Sequence, residues 1–146
     1  MKINPFSLLL IMLFFNVVKA NNLPIAEIYK SPSCGCCSKW VDHLKDNGFE
    51  VITKNKTNMS DIKKLFGVPQ SYASCHTAII GDYVIEGHIP AENILDLLQK
   101  KTRVKGLTVP GMPLGSPGME SSQSQDYVVY SFNEAGEITP FAEHKK

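Results

Sequence analysis

The sequence predicts a mixed α/β domain with the order β-α-β-α-β-β-α, then a loop rich in glycine, proline and methionine, then a terminal β-hairpin. Three observations carry that reading. A cysteine-rich turn separates a strand-like segment from an amphipathic stretch. Gly81-Asp82 joins two short runs of β-branched and aromatic residues. A second hairpin pattern closes the chain. The strand–helix–strand start further implies a parallel pair with a right-handed crossover.

Taken in order, Pro24 to Lys30 reads as the first strand. A helix is expected from about Cys36 to Asn47. Its Cys37, Trp40, Val41 and Leu44 follow the i, i+3, i+4, i+7 spacing of one buried face, and Gly48 suits its C-terminal end. Phe49 to Thr53 is the second strand. Ser60 and Asp61 are expected to cap a short helix with Ile62, Leu65 and Phe66 inward, ended by Gly67-Val68-Pro69. Thr77 to Ile80 and Tyr83 to Glu86 form the hairpin. Pro90 opens a third helix with Ile94, Leu97 and Leu98 on one face. Gly106 to Glu120 holds four glycines and three prolines in fifteen residues, so no regular structure is expected there. Tyr127 to Phe132 and Ile138 to Phe141 flank a turn at Asn133 to Gly136. Neither a repeat nor a second domain is evident.

Residues 1–20 have the pattern of a secretory signal peptide: Lys2, an apolar run from Phe6 to Phe15, and Val18-Lys19-Ala20 before a cut. The folded domain is then expected over residues 21–146. Without Lys2 and Lys19 the formal net charge falls from +1 to −1. No basic block remains to bind nucleic acid or an anionic membrane surface, and no membrane association is expected after cleavage. Export also makes a disulfide between close cysteines chemically admissible.

The chemistry concentrates in "SPSCGCCSKW". Cys34 and Cys37 form a C-x-x-C at a helix start, where unpaired N–H groups and the helix dipole favour a thiolate. The pair can be a structural or a redox disulfide. Either leaves Cys36 as an idle thiol open to exchange, and a Cys36–Cys37 bond would force a strained ring. Three thiolates used together are the other reading. Further soft donors are Cys75, His76, His88, Met112 and Met119. Taken singly, Cys75 reads as a small buried hydrophobe, His88 as a polar strand end, and the methionines as gap-fillers. His43 is expected at the surface and His144 in the tail. Thiolate and thioether donors suit copper(I), with imidazole tolerated. Zinc and iron–sulfur sites favour more separated cysteine pairs. Four thiolates within reach can bridge metals, so more than one copper(I) per chain is admissible.

"YKSPSCGCCSKWVDHLKDNGFEV" and "CHTAIIGDYVIEGHIPAENILDLL" resemble glutaredoxin-like chains of the thioredoxin-like fold. Those chains carry a cis-proline before the third strand. His76, beside Cys75, holds that place here, and the resemblance turns Cys75 toward the C-G-C-C turn. "CGCC", "SCHTA", "EGHIPA" and "GLTVPGMPLGSPGME", in this order, also resemble secreted bacterial copper-resistance proteins of the CopG type. That resemblance implies a periplasmic copper-binding protein. It moves His88, Met112 and Met119 into a candidate ligand set with Cys34, Cys36, Cys37, Cys75 and His76. Other periplasmic copper-handling proteins become expected partners. The alternative is a thiol–disulfide oxidoreductase with Cys34 as nucleophile and Cys37 as resolving thiol. A copper oxidoreductase would combine both.

Overall fold

The computed structural model describes residues 23–146, so the predicted leader lies outside the described residues. Strand β1 (Ala26–Lys30) alternates between fully and partly buried positions. Helix α1 (Gly35–Asp46) begins at Cys34, its N-cap, and buries Cys37, Trp40, Val41 and Leu44, the four positions picked out by periodicity. Gly48 follows with φ +86°, a left-handed conformation that only glycine adopts freely. Strand β2 (Val51–Asn55) starts two residues later than expected and pairs parallel with β1.

Helix α2 (Met59–Leu65) corrects two expectations. Asn58 caps it, accepting the Asp61 N–H at 3.3 Å, in place of Ser60 or Asp61. Leu65 points outward and is 74 % exposed, while Ile62 and Phe66 are half-buried. Phe66 covers the ring of Tyr29. A single 3-10 turn at Gln70–Tyr72 leads to β3 (Thr77–Ile80) and β4 (Tyr83–Glu86), a hairpin with the predicted bounds. Helix α3 (Ala91–Lys100) starts after Pro90 and buries Ala91, Ile94 and Leu97, with Leu98 half-buried.

The glycine- and proline-rich stretch is not wholly irregular. Gly106–Thr108 form a short strand, β5, parallel to β4 and antiparallel to β6 (Tyr127–Phe132). Tertiary pairing overrides local composition here: all three residues are buried, and a side chain on Gly106 would collide with the Val84 carbonyl. Strand β7 (Ile138–His144) completes the terminal hairpin and runs three residues further than predicted. The seven-stranded sheet has the order β2-β1-β3-β4-β5-β6-β7.

Strand alternation sorts the core. Ile28, Ala78, Ile80 and Ile85 pack with Trp40 and Leu44 of α1 and Ile94 and Leu97 of α3. Val84 and Phe132 face the other way, with Val68, Phe66 and Ile79. Full burial of each large apolar side chain stabilises by roughly 1.5–3 kcal/mol. Among the described residues no helix is long and apolar enough to cross a membrane.

Candidate metal centre

One wall of the site is the start of α1. The Cys34 sulfur accepts the Cys37 N–H at 3.3 Å, so the cap that starts the helix also fixes the C-x-x-C turn. Cys34 and Cys37 are joined by a disulfide, and Cys36 and Cys75 are free. Cys36 Sγ lies 3.5 Å from Cys34 Sγ, and Cys75 Sγ lies 3.5 Å from Cys37 Sγ. All four sulfurs fall within 4.8 Å of one another. Two of them become available to a metal only after the disulfide is reduced.

The opposite wall is the loop before β3 together with the end of β4. Cys75 Sγ lies 3.3 Å from His76 Nδ1 and 3.1 Å from His88 Nε2, and these three ligand atoms again fall within 4.8 Å. Side chains of neighbouring strand residues point to opposite faces. Cys75 and His76 escape that rule because the ladder begins only at Thr77. The Gly87 N–H donates to the His76 carbonyl at 3.0 Å. Gly87 has φ +80°, and a Cβ there would press on Ser74 and the Val109 carbonyl. Cys75 thus belongs to both groups, the four cysteines and the Cys–His–His set.

His88 is fully buried and its tautomer is set by its surroundings. The Pro117 carbonyl lies 2.8 Å from Nδ1 and can only accept, so Nδ1 carries the proton and Nε2 offers its lone pair toward Cys75. His76 is also fully buried, 4.3 Å from the Trp40 ring and edge-on to His88. Its Nε2 has no hydrogen-bond partner. The other ring nitrogen, Nδ1, is the one beside Cys75 Sγ, and with the Cys75 and His88 donors it fits a soft metal ion.

Burial governs the protonation states. It pushes the Cys75 thiol up to about 11, and the nearby Cys36 sulfur adds to the shift. It holds His76 well below the ordinary imidazole value, with His88 and Lys63 acting in the same direction. It also lowers His88, against the opposing Pro117 hydrogen bond. Near neutral pH the metal-free site therefore holds neutral imidazoles and a protonated Cys75. A cation that takes the Cys75 sulfur displaces a proton.

The glycine–proline–methionine loop covers this centre from outside. Met112 Sδ lies 4.0 Å from Cys36 Sγ, and the side chain is 50 % exposed. The Ser74 hydroxyl donates to the Gly111 carbonyl, tying the Cys75 loop to the methionine loop. Gly118 passes so close to α1 that a Cβ would lie 2.7 Å from the Cys36 carbonyl oxygen and 3.2 Å from His88 Nδ1. Met119 is half-buried one residue further on, and its backbone N–H donates to the Ser116 carbonyl at 2.8 Å. His43 is half-buried and accepts the Ala91 N–H at 3.0 Å at the start of α3. His144 stacks on Tyr127 in β7, away from the cysteines. Sequence reasoning missed Pro117, Gly118, Lys63 and Glu86. A glutamate ending an otherwise apolar strand was the one available signal for the last.

Fold and site together define a mixed α/β protein that carries a Cys/His metal-binding cluster. The chain is similar to a solved structure named copper resistance protein CopG, form 1, at 39 % identity and TM-score 0.79, covering 84 % of this chain and 99 % of that one. Form 2 of the same protein matches at 39 % identity and TM-score 0.79, covering 83 % and 98 %. A family model described as a protein of unknown function, DUF411, matches residues 72–119, which span Cys75, His76, His88 and the methionine loop. The chain belongs to the CopG copper-resistance family. A comparison with curated proteins gives no match.

Proposed function

We propose that this protein is a periplasmic copper(I)-binding protein of copper resistance, built on a thioredoxin-like core, that holds more than one copper ion in its reduced state. The observation that carries the reading is the position of Cys75, whose sulfur is within 3.5 Å of both Cys37 Sγ and His88 Nε2. A thiolate there bridges two adjacent donor sets. Thiolate, thioether and neutral imidazole are a soft donor set suited to copper(I). The metal is cargo in this reading, received from and passed to other periplasmic copper-handling proteins. The relatives named for copper resistance support it. The thioredoxin-like reading is supported by the parallel β1–β2 pair, the antiparallel β3–β4 pair and a C-x-x-C at the start of α1. The leader pattern of residues 1–20 supports the periplasmic reading. Met112 is a candidate ligand through Cys36, and Met119 is a candidate through the likeness to copper-resistance proteins.

The Cys34–Cys37 disulfide favours a second reading in which the site also does redox chemistry. Closing that disulfide from the dithiol releases two electrons and two protons, enough to reduce two copper(II) ions to copper(I). The buried Cys37 and the less buried Cys34 also have the placement of a resolving and an attacking thiol. An anaerobic copper(I) titration of the reduced protein, beside an assay of dithiol–disulfide turnover, separates the readings. Tight uptake supports the copper site. Turnover without uptake supports a thiol–disulfide oxidoreductase.

A further inference from the structure

A buried ion pair lies directly under the metal centre, and neither reading above uses it. Glu86, the last residue of β4, is fully buried. Its Oε1 accepts from Lys63 Nζ and from the Ser74 backbone N–H, both at 2.6 Å. Its Oε2 accepts from the Thr77 hydroxyl at 2.6 Å. Lys63 reaches in from α2 and also donates to Thr77 Oγ1 at 3.1 Å. An apolar side chain at such a position is often at least as stable as a buried ion pair, so stability alone is a weak reason for this pair.

The placement of its bonds supplies another reason. They fall on Ser74 and Thr77, the residues on either side of Cys75 and His76. Those two are the neighbours that depart from strand alternation so that Cys75 Sγ, His76 Nδ1 and His88 Nε2 converge. Ser74 in turn holds the Gly111 carbonyl, next to Met112. Glu86 also leads, through Gly87, into His88 itself. One carboxylate therefore fixes both ends of the Cys75–His76 turn and the strand end that presents His88.

We propose that Glu86, clamped by Lys63, is the positioning residue of the metal centre: it holds the Cys75–His76 turn in the shape that brings sulfur and both imidazoles together. It touches no metal and acts through Ser74 and Thr77. The inference rests on the copper-binding reading, and its test keeps the two apart.

Glu86→Gln keeps the shape and removes the charge. Thr77→Val removes the hydroxyl's bonds to Glu86 and Lys63, and Thr77→Ser restores them. In the metal-free, reduced protein, Glu86→Gln and Thr77→Val are expected to move the His76 ring nitrogen signals and to change the alkylation rate of Cys75 several-fold. Thr77→Ser keeps both near wild type. In copper(I) competition titrations Glu86→Gln loses about ten- to a hundredfold in affinity, the range for outer partners of metal ligands. Val129→Ala, a core truncation in β6, two strands from β4, serves as the stability control. It lowers Tm and leaves the imidazole signals and the affinity unchanged. Wild-type signals and Cys75 reactivity in both Glu86→Gln and Thr77→Val overturn the proposal, as does the same copper loss in Val129→Ala. Wild-type protein that takes up no copper sinks the copper reading instead. The metal-free comparison still decides the role of Glu86.

Discussion

Cys75 Sγ lies 3.1 Å from His88 Nε2, and the carbonyl of Pro117 holds the far side of the imidazole at 2.8 Å. A ligand-ready nitrogen thus faces a sulfur that is also in contact with the C-G-C-C turn. Cys75→Ser keeps the volume of the side chain and removes the shared donor. It should lower the number of tightly held copper(I) ions by at least one and weaken the rest by at least about tenfold. Anaerobic chelator competition measures both. Unchanged stoichiometry would remove Cys75 from the site.

Cys36 separates copper binding from simple dithiol chemistry. Its sulfur is 3.5 Å from Cys34 Sγ and 4.0 Å from Met112 Sδ, outside the Cys34–Cys37 pair. Cys36→Ser should leave dithiol–disulfide turnover near wild type and reduce copper affinity or stoichiometry. Loss of turnover with intact copper uptake would reverse the assignment.

Gly118 is the packing point of the methionine loop on α1. An alanine there must adopt φ near +84° and push its Cβ against the Cys36 carbonyl. The left-handed conformation alone costs about 1–2 kcal/mol. Gly118→Ala should therefore lower Tm by several degrees in the metal-free protein. It should also weaken copper binding, because displacing the loop takes Pro117 from His88. Thermal melts with and without copper(I) check both effects.

Acid should destabilise the metal-free protein through its buried histidines. His76 and His88 are held below the ordinary value of 6.5 by burial. Above that value neither the folded nor the unfolded chain binds the protons, and these groups add no pH dependence. Below it the unfolded chain takes them up first, so stability falls as pH drops from about 6.5 toward the folded values. The slope is about 1.4 kcal/mol per pH unit for each histidine that stays neutral when folded. Melts of the chelator-treated protein between neutral pH and pH 5 should show this loss, and His76→Asn should flatten it. A flat wild-type profile would contradict the burial of both rings.

The parts of this fold set by local pattern were legible in the sequence. Trp40, Val41 and Leu44 mark one face of α1, and Gly81-Asp82 marks the β3–β4 turn. Parts set by distant partners were not. Helix α2 has seven residues, too few for periodicity to show that Leu65 faces out. Strand β5 is hidden in a glycine–proline run because its three residues are ordered by β4 and β6. The cysteines, His76 and His88 were nameable from donor chemistry and from the resemblance to copper-resistance proteins. The devices that aim them were not. Lys63 and Glu86 are 23 residues apart, and Pro117 meets His88 across 29.

The most direct test of the account is an anaerobic copper(I) titration of the fully reduced protein against a competing chelator, counting tightly held ions per chain. Two or more are expected, because Cys75 is shared by the four-cysteine group and the Cys75–His76–His88 group. No tightly held copper(I), with rapid dithiol–disulfide turnover in its place, would contradict it.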